Sequence, residues 1–312
     1  MNRESPHSQP RVVLMFLDGI GIGRNDPEVN PFFQAQLPVL TSLCGGKIPH
    51  VPFHSQHAKD AEIISVSATL GVPGLPQSGT GQTAIFTGVN GAKVFGRHFG
   101  PHPPSVLRQV IEERNIFHRL QALGKSVTFA NAFPRQFFEY IESGKRRMSV
   151  STLSCKMSGV PLRTAEDLRR NEGVSADFIR TQWESLGHPG IPVITSEEAG
   201  THFAHMSGRY DFSLFEYWLT DHAGHGQKMQ TAVEILERFD RFLGGFLQSF
   251  DLRTGTLIII SDHGNLEDLT TKSHTRNKVP CIIAGKARRK IARSVKSLTD
   301  ITPAILSLFK KS

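Results

Sequence analysis

Three strand-like stretches of this chain each stop at an aspartate. Residues 12–17 form an unbroken apolar run, Val-Val-Leu-Met-Phe-Leu, that stops at Asp18; residues 212–220 stop at Asp221; residues 256–260 stop at Ser261-Asp262. Apolar runs rich in β-formers, without period-two alternation, suit strands covered on both faces. Helical spacing separates them. Residues 105–123 carry Val106, Leu107, Val110, Ile111, Ile116, Phe117, Leu120 and Leu123, with Gly124 as a stop signal. Residues 227–250 place Met229, Val233, Leu236, Leu243, Phe246, Leu247 and Phe250 on one broad stripe. Residues 126–130 and 279–284 read as further strands, and Asp300 or Thr302 starts a last helix through Leu308. The alternation predicts an α/β fold with a mostly parallel sheet flanked by helices. In such sheets ligands gather at the carboxyl ends of the strands, so three aspartates at three strand ends can converge on one place.

At 312 residues the chain is long enough for a core with an inserted unit. Residues 1–10 are polar and read as a disordered tail. Residues 11–100 and 209–312 read as the core. From about residue 134 to 208 the alternation fades and Gly, Pro and charged residues multiply, so residues 101–208 are expected to form a smaller inserted cap. No apolar run reaches the ~18 residues of a membrane span, and the run at 12–17 is too short for the core of a signal peptide, so no membrane association and a cytoplasmic setting are expected. Cys44, Cys155 and Cys281 are far apart and odd in number, which argues against a disulfide framework. The net charge of +8 raises nucleic acid as a partner. The basic residues are nevertheless scattered, apart from short clusters at 145–147, 286–290 and 310–311, and no nucleic-acid-binding motif is present. A non-catalytic nucleic-acid binder is therefore the rival reading, with steeply salt-dependent binding as its signature; a basic field that draws in anionic substrates is the other meaning of the charge.

The acidic and imidazole groups at the strand ends are Asp18, Asp221, His225, Asp262, His263 and His274. Mixed Asp/His sets suit Zn²⁺ or Mn²⁺. The set is larger than one tetrahedral ion needs and fits two, which at about 4 Å apart can clamp a phosphoryl group. Taken singly the pieces are weak, since Asp at a strand end is also a common helix cap. Their conjunction with the small-residue turn Gln77-Ser78-Gly79-Thr80-Gly81-Gln82, in this order along the chain, is what carries weight.

The residues 17–23 (Leu-Asp-Gly-Ile-Gly-Ile-Gly), Ser261-Asp262-His263-Gly264-Asn265 and Ser273-His274-Thr275 resemble the metal-binding motifs of phosphopentomutase and cofactor-independent phosphoglycerate mutase, members of the alkaline phosphatase superfamily. The resemblance covers about residues 11–100 and 210–308. It implies an alkaline phosphatase-like core, one metal held by Asp18, Ser78, Asp262 and His263, and another held by Asp221, His225 and His274. It also places Ser78 at the nucleophile of the family, with Thr80 as the rival. A serine hydroxyl becomes a competent nucleophile beside a dication, and a helix N-terminus favours an incoming phosphate. The implied activity is phosphoryl transfer on a small phosphorylated metabolite through a phosphoserine, as a phosphomutase or a phosphatase. Where those mutases carry His after the glycine of the turn, this chain has Gln82, which can donate a hydrogen bond but cannot act as an acid near pH 7. Since no expected ligand is missing, a degenerate member that binds metal without turnover is the less favoured alternative. Lys93, Arg97 and His98, in a Gly-rich stretch after the turn, are candidates with Gln82 for substrate contacts. His222 is a candidate support for the metal ligands. Arg24, Asn25 and Asn30 could reach the same cleft, and Asp240 reads as structural.

Overall fold

A computed structural model describes residues 10–310 apart from residue 146; residues 1–9 of the expected tail lie outside the described residues. The described strands are β1 (Arg11–Leu17), β2 (Ser55–His57), β3 (Ala61–Val66), β4 (Val127–Phe129), β5 (Phe212–Tyr217), β6 (Gly255–Ile260) and β7 (Val279–Gly285). They form one sheet of seven strands in the order β2-β3-β7-β6-β1-β5-β4. β1 is parallel to both β5 and β6, and β4 is parallel to β5. β7 runs antiparallel to β6 and to β3, and β2 antiparallel to β3. The sheet is thus mixed, with β1, β3, β4, β5 and β6 pointing one way and β2 and β7 against them.

β1 shows why its run is unbroken. Val12, Leu14 and Phe16 enter one core layer, with Ile85 and Phe86 of the helix Ser78–Thr87 and with Ile111, Phe117 and Ile305. Val13, Met15 and Leu17 enter the opposite layer, with Phe203, Phe239, Phe242 and Phe246. Each large apolar side chain buried this way contributes roughly 1.5–3 kcal/mol, so both faces demand apolar residues.

Three stretches show how the expected elements meet in the fold. First, the strand expected over 212–220 ends at Tyr217, and Asp221 lies in the first turn of the helix Leu219–Gly226. The switch is pinned by Thr220, whose Oγ1 donates to the carbonyls of Asp18 and Tyr217. Second, parts of residues 101–208, the expected cap, join the sheet and its core layers. β4 pairs within it, the helices Arg108–Arg114, Ile116–Gln121 and Val150–Met157 supply Ile111, Phe117 and Leu153 to the core layer under Ser78–Thr87, and Ser196–Ser207 packs on the long helix Met229–Ser249. A separate small cluster, Ala132, Ala165, Leu168 and Trp183, sits outside the two main layers. Third, the helix expected over 105–123 breaks at Asn115. Its backbone turns extended, its Oδ1 accepts the His118 N–H and its Nδ2 donates to the Ile111 carbonyl, so one residue caps both halves.

Candidate metal centre

The carboxyl ends of β1 and β6 lie side by side. Ser261 Oγ accepts the Ile20 N–H at 2.8 Å and donates to the His263 carbonyl at 3.1 Å, tying the two loops together. Gly19 makes the turn after Asp18 with φ +73°, and a Cβ there would lie 2.6 Å from Asp221 Oδ1, so only glycine lets these segments meet. Ser78 is the first residue of its helix, and its Oγ sits 2.9 Å from His263 Nε2.

Around His263 a first group assembles: Nε2 is 3.2 Å from Asp18 Oδ1 and 3.6 Å from Asp262 Oδ2. A second group lies against it. Asp221 Oδ2 is 3.3 Å from His225 Nε2, Asp221 Oδ1 is 3.6 Å from His274 Nε2, and the rings of His263 and His274 stack at 3.7 Å. The structure therefore brings together Asp18, Ser78, Asp221, His225, Asp262, His263 and His274.

The donor set fits divalent cations on the hydrogen bonding alone. His274 Nδ1 faces the Pro76 carbonyl and His225 Nδ1 the Lys272 carbonyl, both at 2.7 Å. A carbonyl only accepts, so each Nδ1 carries a proton, and the tautomer with its lone pair on Nε2 is the one a metal ion takes. Those two Nε2 atoms face each other at 3.2 Å, where two acceptors cannot bond to one another. In addition, Asp18 Oδ1 and both carboxylate oxygens of Asp262 are buried and accept no hydrogen bond among the described residues. Buried acceptors left so are costly unless a cation serves them. The protein's own charges respond to this crowding. Burial, then the neighbouring Asp18, raises the Asp262 carboxyl well above its usual range. Burial acts to lower the His263 imidazole, but Asp262, Asp18 and Asp221 outweigh it and lift it to about 10. Burial and then His263 lower His274 to about 4.

A shell of uncharged and buried groups aims these ligands. Gln82 Nε2 donates to Asp18 Oδ2 at 3.2 Å while its Oε1 accepts the Val150 N–H at 3.1 Å, leaving Asp18 Oδ1 toward the cluster. Asn265 Nδ2 donates to Asp221 Oδ1 at 2.7 Å. Glu267, buried, accepts from the N–H groups of Gly21 and Asn265, from Asn277 Nδ2 and from Thr275 Oγ1. It holds the loops of Asp18, His263 and His274 in one register.

Other candidates fall away from the centre. Thr80 Oγ1 donates to the Gln77 carbonyl and accepts the Phe99 N–H, which is a capping role. Lys93 and Arg97 are exposed, and the Arg97 guanidinium lies over the Phe95 ring. His98 Nε2 faces the carbonyls of Thr69 and Val72. None of these three is among the residues that line the cleft above the cluster. Asn30 Nδ2 bonds the Arg24 carbonyl within its own loop, and Asp240 caps the helix Pro38–Leu43 through the Val39 and Leu40 N–H groups. His222 lies exposed on the cleft rim, edge-on to Trp218.

Besides Glu267, a second acid escaped the sequence reading. Glu216, in β5, is buried and receives hydrogen bonds from Ser149 and Ser151. Burial, against those two hydroxyls, raises it to about 7. Its signal was present as the one charge inside the apolar stretch 212–220. A cleft of about 840 Å³ opens over the cluster, reaching Asp18, Ser78, Glu216, Asp221 and His225 at its floor.

Residues 197–312 match the Metalloenzyme superfamily model. A phosphoglycerate mutase 2 of the 2,3-bisphosphoglycerate-independent type from Methanosarcina acetivorans is 32% identical over 110 residues, 33% of this chain and 21% of that protein. The corresponding mutase of Desulforudis audaxviator is 30% identical over 123 residues, 38% of this chain and 24% of that protein. The matched stretch is thus about a quarter or less of these relatives' length. In structure, the chain is similar to the PH0037 protein of Pyrococcus horikoshii (TM-score 0.59, 14% identity, 97% of this chain and 99% of that one). It is similar also to the alkaline phosphatase of the Antarctic bacterium TAB5 (TM-score 0.51, 12% identity, 97% and 100%). The fold is thus alkaline phosphatase-like, and the C-terminal segment that carries Asp221, His225, Asp262, His263 and His274 is the part that matches the metalloenzyme superfamily model. The sequence matches over that part of the chain include 2,3-bisphosphoglycerate-independent phosphoglycerate mutases.

Proposed function

We propose that this protein is a two-metal phosphoryl-transfer enzyme that acts on a small phosphomonoester through Ser78. The observation that carries the reading is the position of Ser78, at a helix N-terminus with Oγ 2.9 Å from His263 Nε2 and beside Asp18 Oδ1 and the Asp262 carboxylate oxygens, buried and accepting no hydrogen bond among the described residues. Asp18, Ser78, Asp262 and His263 would hold one divalent cation, and Asp221, His225 and His274 the other, Mn²⁺ or Zn²⁺ by the donor types. Bound there, the cations supply the positive charge that favours the serine alkoxide and neutralises the phosphoryl oxygens. Ser78 Oγ then forms a bond to phosphorus in line with the departing alcohol, whose ester P–O bond breaks, and the helix N-terminus favours the phosphate held on it. Gln82, fixed between Val150 and Asp18, orients the carboxylate and takes no proton. Water as the second acceptor makes the enzyme a phosphatase; a hydroxyl of the same substrate makes it a mutase. The parts of residues 101–208 that line the cleft, among them Phe133, Phe137 and Trp183, act as the cap that reads the substrate.

The test is hydrolysis of p-nitrophenyl phosphate by protein stripped of metal and then supplied with Mn²⁺ or Zn²⁺, with Ser78→Ala in parallel. Turnover is expected only after repletion and is expected to fall by at least about 10³-fold in the variant. Undiminished activity in Ser78→Ala, or in stripped protein, overturns the mechanism.

A further inference from the structure

We propose, building on the transfer reading above, that the substrate is a phosphomonoester whose leaving group carries an aromatic ring, and not a compact polyanion. The walls above the metal cluster carry Phe133, Phe137, Trp183, Leu186, Trp218 and Leu219. Phe133 and Phe137 stack on one another at 4.2 Å, and Trp218 is 46% exposed at the mouth of a cleft, a position in which solvent gains nothing from an indole. Aromatic side chains presented in this way form platforms for flat, apolar ligand faces.

The charge of the lining points the same way. Arg147 is the one lysine or arginine among the described residues that line the cleft, and Asp177 and Glu216 add acids to it. Asp177 is engaged in its own loop, accepting from Arg180 N–H and from Thr181. A substrate bearing a carboxylate or a second phosphate beyond the reacting phosphoryl group needs several cations to replace its hydration. Among the described residues the cleft presents a single guanidinium. Its volume of about 840 Å³ also exceeds what a three-carbon acid phosphate would fill.

Both tryptophans of the chain, Trp183 and Trp218, line this cleft, so binding can be read without turnover. The experiment titrates Mn²⁺-loaded Ser78→Ala protein with phenyl phosphate, adenosine 5′-monophosphate, glycerol phosphate and 3-phosphoglycerate, following tryptophan fluorescence. Phenyl phosphate or the nucleotide is expected to bind at least about 10-fold more tightly than glycerol phosphate and 3-phosphoglycerate. The ranking of the first two separates a simple aryl group from a nucleoside. Trp218→Ala, at an exposed position, and Phe137→Ala, at a half-buried one, are each expected to narrow that preference to within about 3-fold. Equal or tighter binding of 3-phosphoglycerate, or loss of affinity for all four esters alike in both variants, overturns the inference. Selective binding of phenyl phosphate without any hydrolysis by the Ser78 protein supports the inference and removes the transfer mechanism. Hydrolysis indifferent to the leaving group retains the mechanism and removes the inference.

Discussion

Asp221 depends on a neighbour that carries no charge. Asn265 donates Nδ2 to Asp221 Oδ1 at 2.7 Å and to the Asp221 carbonyl at 3.2 Å, and it fits because Gly224 beside it has no side chain: a Cβ there would lie 2.6 Å from Asn265 Cγ. Partners of this kind fix the rotamer of a ligand before the cation arrives. Asn265→Ala should therefore lower divalent-metal affinity by about 10–100-fold, measured by isothermal titration with Mn²⁺, while the circular dichroism spectrum is unchanged. An unaltered affinity would show that Asp221 needs no such orientation. The aspartates and histidines themselves were legible in the sequence, because each ends an apolar run or sits in a short motif. Glu267 was not. Its bond to the Gly21 N–H joins residues 246 positions apart, and nothing local marks a glutamate as the tie between two loops. Lys93, Arg97 and His98 show the complementary limit: proximity to the serine turn in sequence does not fix where a side chain ends, and His98 faces the Thr69 and Val72 carbonyls while Arg97 lies over Phe95.

The helices Ser196–Ser207 and Met229–Ser249 cross at a pair of glycines. A Cβ on Gly200 would come within 2.0 Å of the Phe242 carbonyl oxygen, and one on Gly245 within 2.0 Å of the Glu197 carbonyl oxygen, so the two backbones touch reciprocally. No rotamer relieves a clash with backbone, and the helices must separate to admit even a methyl group. Gly200→Ala or Gly245→Ala should each destabilise the protein by about 2–3 kcal/mol in urea denaturation, despite the better helix propensity of alanine. Gly226→Ala, with nothing near its added Cβ, should stay within about 0.5 kcal/mol. Equal midpoints for all three would mean that the crossing is loose. The stripe on the long helix was legible from its spacing, and Met229–Ser249 falls within the expected 227–250. The crossing was not, because a glycine inside a helical pattern reads as a propensity cost until its partner is known. β3 escaped for another reason: Glu62 and Ser65 interrupt its apolar character, and only its pairing with β7 reveals a strand. β4 at three residues is too short to separate from an insert by pattern alone.

At the scale of the whole molecule, the topology that makes the sheet stable also concentrates negative charge. β1 lies between β6 and β5, so the residues that follow these central strands, Asp18, Asp262 and the helix bearing Asp221, are delivered to one spot. Asp18 and Asp262 are buried there, with three carboxylate oxygens that accept no hydrogen bond among the described residues. Like charges in a low-dielectric site oppose folding, and a bound cation converts that opposition into cross-links between β1, β6 and the Asp221 helix. Removing divalent metal should therefore lower the melting temperature, and repletion to about 100 times the dissociation constant should restore roughly 2.7 kcal/mol per site. Differential scanning calorimetry with and without chelator measures this. Asp262→Asn gives the decisive comparison, since it removes one buried charge and one ligand together. The metal-free variant should melt at or above the metal-free parent and should gain less on Mn²⁺ addition. If the parent's melting temperature ignores the chelator, the carboxylate cluster is not held together by cations, and its unpaired oxygens need another explanation. If Asp262→Asn instead melts lower than the metal-free parent, the acid contributes to the fold through contacts of its own and not through a cation.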